Sequence, residues 1–142
     1  MRPKLPALIA LAVMTALPAA GGAGERAKLV ADLTGAAGPA AGDPDGAGRA
    51  EIVLDTSKLR LCYALSASGI APATAAHIHR GGAGETGRPV IRLVAPRDGQ
   101  SNACVEVSAY DANEILRRPE AFYVSVRTAE FPAGALRGQL QR

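Results

Sequence analysis

The sequence has no tryptophan and few other aromatic residues, with three tyrosines and two phenylalanines among 142 residues. Aromatic side chains cannot fill most of a core, so leucine, valine and isoleucine must do so. A chain of this length is expected to form one domain rather than two. With 48% apolar and 20% charged residues, the composition is typical of a folded protein and not of a disordered one.

The sequence also lacks a hydrophobic run long enough for a membrane anchor. The apolar stretch at residues 5–17 follows Arg2 and Lys4, and it is shorter than the roughly 20 residues that cross a bilayer. Small residues at 19–23 offer a cleavage site. We therefore expect a signal peptide at residues 1–23 and a mature protein without a membrane span, secreted or held in the cell envelope.

A surplus of positive charge is missing from the expected mature chain. Without Arg2 and Lys4 it carries 14 basic and 13 acidic side chains, and no basic run is interleaved with aromatic residues. Nucleic-acid binders concentrate positive charge on one surface. The sequence therefore predicts no nucleic-acid partner.

Only two cysteines are present, Cys62 and Cys104. In an exported chain an oxidising compartment favours their pairing, so we expect one disulfide. Two buried free thiols and a metal-binding pair are the alternatives.

No complete set of catalytic residues is found. None of the serines lies in a Gly-x-Ser-x-Gly turn, and the only histidines, His77 and His79, fall in one segment. Acidic residues are scattered, and nothing selects a pair for glycoside hydrolysis. We expect a protein that is not an enzyme, with no catalytic residue and no cofactor.

Apolar residues alternate with polar ones along most of the chain, which predicts short β-strands. Leu29, Ala31 and Leu33 share one strand face, whereas residues 35–48, rich in glycine, alanine and proline, are predicted to form a long surface loop. The later strands are predicted near residues 51–55, 59–65, 75–79, 90–94, 103–107, 122–128 and 135–140. In the strand at 59–65, Leu59, Leu61, Tyr63 and Leu65 share one face, and Cys62 lies on the opposite face.

One short helix interrupts the strands. Asp111 is predicted as its N-cap, with Glu114 three residues later, and Pro119 ends it after about two turns. The segments 122–128 and 135–140, joined by a turn around residues 131–134, are typical of a closing hairpin. About eight short strands predict an all-β fold, an antiparallel β-sandwich with a closed barrel as the alternative.

Four segments occur in an order and spacing found in one protein family. They are Ala-His-Ile-His-Arg-Gly at 76–81, Gly84 and Gly87 before Pro89, Tyr-Val-Ser-Val-Arg-Thr at 123–128, and Gly-Ala-Leu-Arg-Gly-Gln-Leu at 134–140. Together they resemble the CHRD (chordin-type) domain over residues 27–142. The resemblance implies a secreted all-β module, which occurs alone in many bacterial exported proteins and in tandem in animal extracellular antagonists. The residues it selects are His77, His79, Gly81, Gly84, Gly87, Arg127, Arg137, Gly138 and Gln139.

The two histidines support three interpretations. Because residues i and i+2 of a strand share a face, His77 and His79 could chelate copper or zinc, although a metal site needs further ligands. The family segment that usually reads Asn-Val-His-Thr here reads Ser-Val-Arg-Thr, so Arg127 replaces a third histidine. A guanidinium repels a cation and favours an anion or a carboxylate. The third interpretation, which we prefer, is that both histidines are structural and bond to the glycine-rich loop or to neighbouring strands.

The glycine-rich segment 81–87 is predicted to form a tight loop with positive-φ positions rather than a phosphate cradle, because no helix follows it. The resemblance implies that Arg137 is a structural arginine paired with a carboxylate or with carbonyls. The His-x-His strand before this loop is also similar to copper-zinc superoxide dismutase, another β-sandwich, but only over a tripeptide. An immunoglobulin-like or superoxide-dismutase-like sandwich is therefore expected.

The function predicted from the sequence is a noncatalytic extracellular binding or structural module. Its partner is expected to be an extracellular protein or a cell-envelope ligand. The alternative is a small copper- or zinc-binding β-sandwich protein that uses His77 and His79.

Overall fold

The computed structural model describes residues 24–142, so the predicted signal peptide at residues 1–23 lies outside the described residues. The strands are β1 (Arg26–Thr34), β2 (Ala47–Asp55), β3 (Arg60–Ser68), β4 (Ala75–Arg80), β5 (Pro89–Leu93), β6 (Gln100–Glu106), β7 (Phe122–Arg127) and β8 (Leu136–Gln139). One α-helix, α1 (Ala109–Arg117), and a 3-10 turn at Pro119–Ala121 precede β7.

The eight strands form one sheet in the order β5-β4-β7-β8-β1-β2-β3-β6. Every neighbouring pair is antiparallel. The expected all-β antiparallel fold of about eight strands with one short helix is confirmed. The last strand, β8, lies beside β1 and so joins the half formed by β5, β4 and β7 to the half formed by β2, β3 and β6.

The sheet curves so that its two edges approach each other. The Tyr63 hydroxyl on β3 accepts a hydrogen bond of 2.7 Å from the Val94 amide, just after β5. The Ser101 hydroxyl on β6 donates to the Val94 carbonyl, also at 2.7 Å. Inward-facing residues of both halves therefore form a single hydrophobic cluster between two layers of the same sheet.

Strand alternation predicted the buried face well, with one exception. Leu29, Leu61 and Leu65 are almost fully buried, whereas Leu59 is 37% exposed. The prediction that Leu59 extends the apolar row of β3 was wrong, because Leu59 lies in the turn before the strand. Its φ of 49° takes the chain out of the strand conformation at this residue.

The disulfide prediction is confirmed. Cys62 on β3 and Cys104 on β6 are direct cross-strand partners, with Cα atoms 3.9 Å apart, and their sulfurs are bonded. Cys62 is half-buried and lies off the apolar row of β3, as the alternation predicted. The bond ties β6, the edge strand of the sheet described over residues 24–142, to its neighbour β3.

The N-cap of the helix lies three residues before the predicted one. Ser108 is the N-cap, and its hydroxyl accepts a 3.0 Å hydrogen bond from the amide of Asp111, which lies in the first turn. The prediction that Asp111 is the cap was wrong, because the Ser108 hydroxyl already accepts a hydrogen bond from a free amide of the first turn. The helix buries Ala112, Ile115 and Leu116.

Arg80 at the end of β4 connects this helix to the sheet. Its guanidinium lies 4.8 Å from the centre of the Phe122 ring and 5.4 Å from that of Tyr110. It also approaches the carboxylates of Asp111, at 3.5 Å, and Glu114, at 3.7 Å.

The long loop between β1 and β2 is shorter than predicted. It was expected over residues 35–48, but Ala47 and Gly48 already pair with Ser68 and Ala67 in the sheet. The Asp43 amide donates to the Ala135 carbonyl at 2.9 Å, which holds the loop against the chain entering β8. Within residues 24–142, no helix combines the length and hydropathy needed to cross a membrane.

Candidate functional site

Polar side chains occupy one face of three neighbouring strands. We call this the polar face: His77 and His79 of β4, Tyr123, Ser125 and Arg127 of β7, and Arg137 and Gln139 of β8. Strand register places these residues in rows. One row runs from His77 through Ser125 and Arg137 to Thr34 of β1, and the next runs from His79 through Tyr123 to Gln139. The alternate residues of the same strands face the core.

The polar face is covered by loops and is not an open surface. His79 is 3% exposed, Ser125 5% and Arg137 7%. The covering segments are residues 34–40 after β1, the segment 81–87 between β4 and β5, which we call the glycine loop, and residues 133–135 before β8. Buried polar groups in such a position are expected to have partners.

His79 is held by the glycine loop and by an aromatic ring. Its Nδ1 lies 2.9 Å from the Gly87 carbonyl, which can only accept, so Nδ1 carries the proton. Its ring stacks on Tyr123 with centroids 4.9 Å apart, and the Tyr123 hydroxyl accepts a 3.1 Å hydrogen bond from the Gly87 amide. The other ring nitrogen, Nε2, is buried and has no hydrogen-bond partner in the described part of the chain.

Arg137 binds the same loop from the other side. One terminal nitrogen donates to the Glu85 carbonyl at 2.6 Å, and the other donates to the Gly82 carbonyl at 2.8 Å. The guanidinium carbon lies 3.5 Å from the centre of the Tyr123 ring. The resemblance implied that this arginine pairs with either a carboxylate or carbonyls. In the structure its partners in the loop are carbonyls.

Gln139 connects the glycine loop to the start of β7. Its side-chain nitrogen contacts the carbonyl oxygens of Gly81, Glu120 and Phe122 at 3.1, 2.9 and 3.2 Å. Its side-chain oxygen accepts a 3.0 Å hydrogen bond from Arg137. Arg137 and Gln139 therefore donate side-chain hydrogen bonds to the carbonyls of Gly81, Gly82 and Glu85 in the glycine loop.

Two glycines permit close backbone approach. A Cβ atom at Gly87 would overlap the Arg80 carbonyl, and one at Gly138 would overlap the Asp32 carbonyl. A glycine at each position lets the glycine loop and β8 pack directly against neighbouring backbone. Gly84, in the middle of the loop, has a φ of 76°, a left-handed conformation that favours glycine.

The second histidine, His77, is less enclosed. It is half-buried, and its ring centroid lies 5.8 Å from that of His79. Burial lowers the pKa of His77, and the charges of His79, Arg127 and Arg92 lower it further.

The pKa of His79 is also lowered, chiefly by burial and then by Arg127 and Arg137, although the bond to Gly87 acts in the opposite direction. Both imidazoles are therefore neutral near pH 7. Within residues 24–142, no three histidine, cysteine, aspartate or glutamate side chains lie together as a set of metal ligands.

A cavity of about 130 Å³ lies between the polar face and its covering loops. By comparison, a cavity needs roughly 10–15 Å³ to hold one water. The strand residues that line it are His79, Tyr123, Ser125, Arg127, Leu136 and Arg137. Its other walls are Thr34 at the end of β1 and the loop residues Gly35, Gly38, Pro39, Ala40, Thr86, Gly87 and 133–135. Two arginines line this cavity and no carboxylate side chain does.

A family model described as the CHRD domain matches residues 29–140. The chain belongs to the CHRD-domain family. The matched range contains every residue of the polar face and the whole glycine loop. Comparison with curated proteins and with solved structures gives no match.

The structure of this CHRD domain brings the selected motif residues together in one place. His79, Gly87, Arg137 and Gln139 are linked through the glycine loop, and Arg127 lines the adjoining cavity. Tyr123 is a site residue that was not predicted from the sequence. The period of two along β7 places Tyr123 on the same face as Ser125 and Arg127, so that signal was present. Nothing in the sequence indicated that residues 34–40 would cover Arg137.

Proposed function

We propose that this chain is exported and that its CHRD domain is a noncatalytic binding module in the cell envelope or outside the cell. Export is supported by the signal-peptide pattern at residues 1–23. The disulfide between Cys62 and Cys104 supports an oxidising compartment. Edman or mass analysis of the mature protein should place its N-terminus between Gly21 and Glu25, and a mature chain that still begins at Met1 would contradict export.

The binding surface in this proposal is the polar face with the loops that cover it. The observation that carries it is the cavity, because motif residues from two distant segments of the chain meet there. His79 and the glycine loop come from the region of β4, and Arg127 and Arg137 come from the closing hairpin. Binding sites are typically concave and hold a few polar groups in fixed positions.

The chemistry of the cavity supports binding rather than catalysis. The protonated nitrogen of His79 is committed to the Gly87 carbonyl. Two terminal nitrogens of Arg137 are committed to loop carbonyls. A nucleophile requires a base within hydrogen-bonding reach, and no serine hydroxyl is hydrogen-bonded to an imidazole in the described residues. We therefore expect the ligand to leave the site chemically unchanged.

The proposal is tested by sedimentation of purified mature protein with envelopes isolated from the producing cells. We expect the wild type to sediment with them and Arg127→Gln to remain in the supernatant. Arg92→Gln is the matched control, since it removes the same charge from a neighbouring exposed strand position outside the cavity. Equal sedimentation of wild type and Arg127→Gln would exclude the cavity as the envelope-binding surface.

A further inference from the structure

The cavity over the polar face is lined by two positive charges and, within the described part of the chain, by no carboxylate side chain. Arg127 and Arg137 both line it. The nearest acidic residue of the glycine loop, Glu85, directs a carboxylate oxygen to the Gly82 amide at 3.2 Å and is exposed. Charged groups inside proteins are normally paired. Arg127 has no ion-pair partner among residues 24–142, so its guanidinium is the charge that a ligand would complete.

Two buried donors beside this cavity have no partner. The Nε atoms of Arg127 and Arg137 are buried without a hydrogen bond in residues 24–142. Arg137 is itself more than nine-tenths buried. A buried donor left unsatisfied is costly, and most so when it is charged. The two guanidinium donors mark a place where an acceptor belongs.

We propose that this cavity binds a small oxyanion, a carboxylate or phosphate group that is either a free ion or the end of a larger molecule. This inference rests on the proposed binding function and names the class of ligand for the same surface. A cavity of about 130 Å³ admits a group of several atoms. Guanidinium groups match the geometry of both carboxylate and phosphate oxygens.

Arg127 is the residue that recognises the anion. Its Nε is buried without a partner, and its guanidinium belongs to none of the ion pairs of the described chain. Arg137, by contrast, uses both terminal nitrogens to hold the glycine loop. The charge of Arg127 therefore takes part in no contact that holds the fold together. Arg137 is fixed by its loop contacts and adds to the positive potential at the cavity.

The test is isothermal titration calorimetry of the mature, disulfide-bonded protein at pH 7.5 with sodium phosphate and, separately, with sodium acetate. Sodium chloride keeps the ionic strength constant, because screening alone alters weak electrostatic binding. We expect saturable binding of one equivalent of at least one of the two ions. The affinity of Arg127→Gln should fall about tenfold or more, since one charge-assisted hydrogen-bonding group is lost.

Arg92→Gln is the control and should bind as the wild type does. Acetate binding without phosphate binding identifies a carboxylate site, and the reverse identifies a phosphate site. In the first case, a short peptide with a free C-terminus, compared with its amidated form, distinguishes an end group from a free ion.

Two results would overturn the inference: no saturable binding of either ion to the wild type, or equal binding by wild type and Arg127→Gln. The envelope experiment tests the proposed function independently of this ion-binding experiment. Ion binding that depends on Arg127, together with envelope binding that does not, would leave the anion site standing and remove the proposed surface.

Discussion

The guanidinium of Arg137 lies over the ring of Tyr123, with its central carbon 3.5 Å from the ring centre. His79 stacks on the same ring, at 4.9 Å between centroids and 8° between planes. Both side chains also bond to carbonyl oxygens of the glycine loop. Tyr123 therefore fixes the relative position of the two residues that hold this loop over the sheet.

Replacing Arg137 should destabilise the domain. Arg137→Ala leaves the Glu85 carbonyl without its donor, removes one of the two donors of the Gly82 carbonyl, and removes the cation from the Tyr123 ring. We expect the free energy of unfolding to fall by about 2–4 kcal/mol in urea titrations. Arg137→Lys should recover only part of this loss, because an ammonium cannot span the two carbonyls as a guanidinium does. Full stability in Arg137→Ala would show that the loop is held by other contacts.

Close backbone approach at Gly87 gives a prediction with an internal control. Gly87→Ala places a methyl group against the Arg80 carbonyl, so we expect a loss of about 2 kcal/mol or more. In Gly82→Ala the new methyl group would lie 3.7 Å from the side chain of Glu85, an ordinary contact. That variant should stay within about 0.5 kcal/mol of the wild type. Thermal unfolding of both variants decides the matter, and equal melting temperatures would contradict the packing described.

The histidines should make stability depend on pH below neutrality. The pKa values of His77 and His79 are lowered in the folded protein, chiefly by burial. The unfolded chain therefore binds these protons near the ordinary value of about 6.5 while the folded chain does not. The free energy of unfolding should be fully present above about pH 7 and should fall as the pH drops toward 5.

This pH dependence has a suitable control in the double variant His77→Gln/His79→Gln, whose unfolding free energy should vary less between pH 7 and 5. The quantity to compare is the change in unfolding free energy with pH, not its absolute value, because the variant also loses the bond to Gly87 and is less stable at every pH. Asp55 adds little in this range, since bonds from Ser57 and Arg26 hold its pKa well below the usual value. An unchanged slope in the double variant would assign the effect to other groups.

The disulfide should contribute much of the stability of this small domain. Opening the bridge frees residues 42 positions apart, and Cys104→Ser should lower the free energy of unfolding by about 2–5 kcal/mol. The double variant Cys62→Ser/Cys104→Ser should lose a similar amount. Native exported protein should have an intact mass two hydrogens below that of the dithiol form. Two thiols that react with iodoacetamide before reduction would contradict the bridge.

Much of the fold follows from local pattern. Alternation along β1 and β3 predicted which leucines are buried, because one face of each strand contacts a core. The bounds of α1 and of the β1–β2 loop were less predictable. Ser108 competes with Asp111 for the cap, and Ala47 and Gly48 join β2 only because β3 lies beside them. Such outcomes depend on neighbours that a local pattern does not contain.

The sequence predicted most of the residues that belong to the site, but not which groups they contact or how they are arranged. The resemblance selected His79, Arg127 and Arg137, but the partners of His79 and Arg137 are backbone carbonyls, which cannot be inferred from side-chain identity. The ring of Tyr123 between His79 and Arg137 depends on the register of β4, β7 and β8. The cavity depends further on residues 34–40, which follow β1, the neighbour of β8, and fold over Arg137.

In the proposed function, the polar face binds a ligand through the charge of Arg127, which the fold does not need. The most direct measurement compares Arg127→Gln with the wild type in both urea unfolding and envelope sedimentation. We expect Arg127→Gln to have a free energy of unfolding within about 0.5 kcal/mol of the wild type and to lose sedimentation. Retained sedimentation, or a loss of stability as large as that of Arg137→Ala, would contradict it.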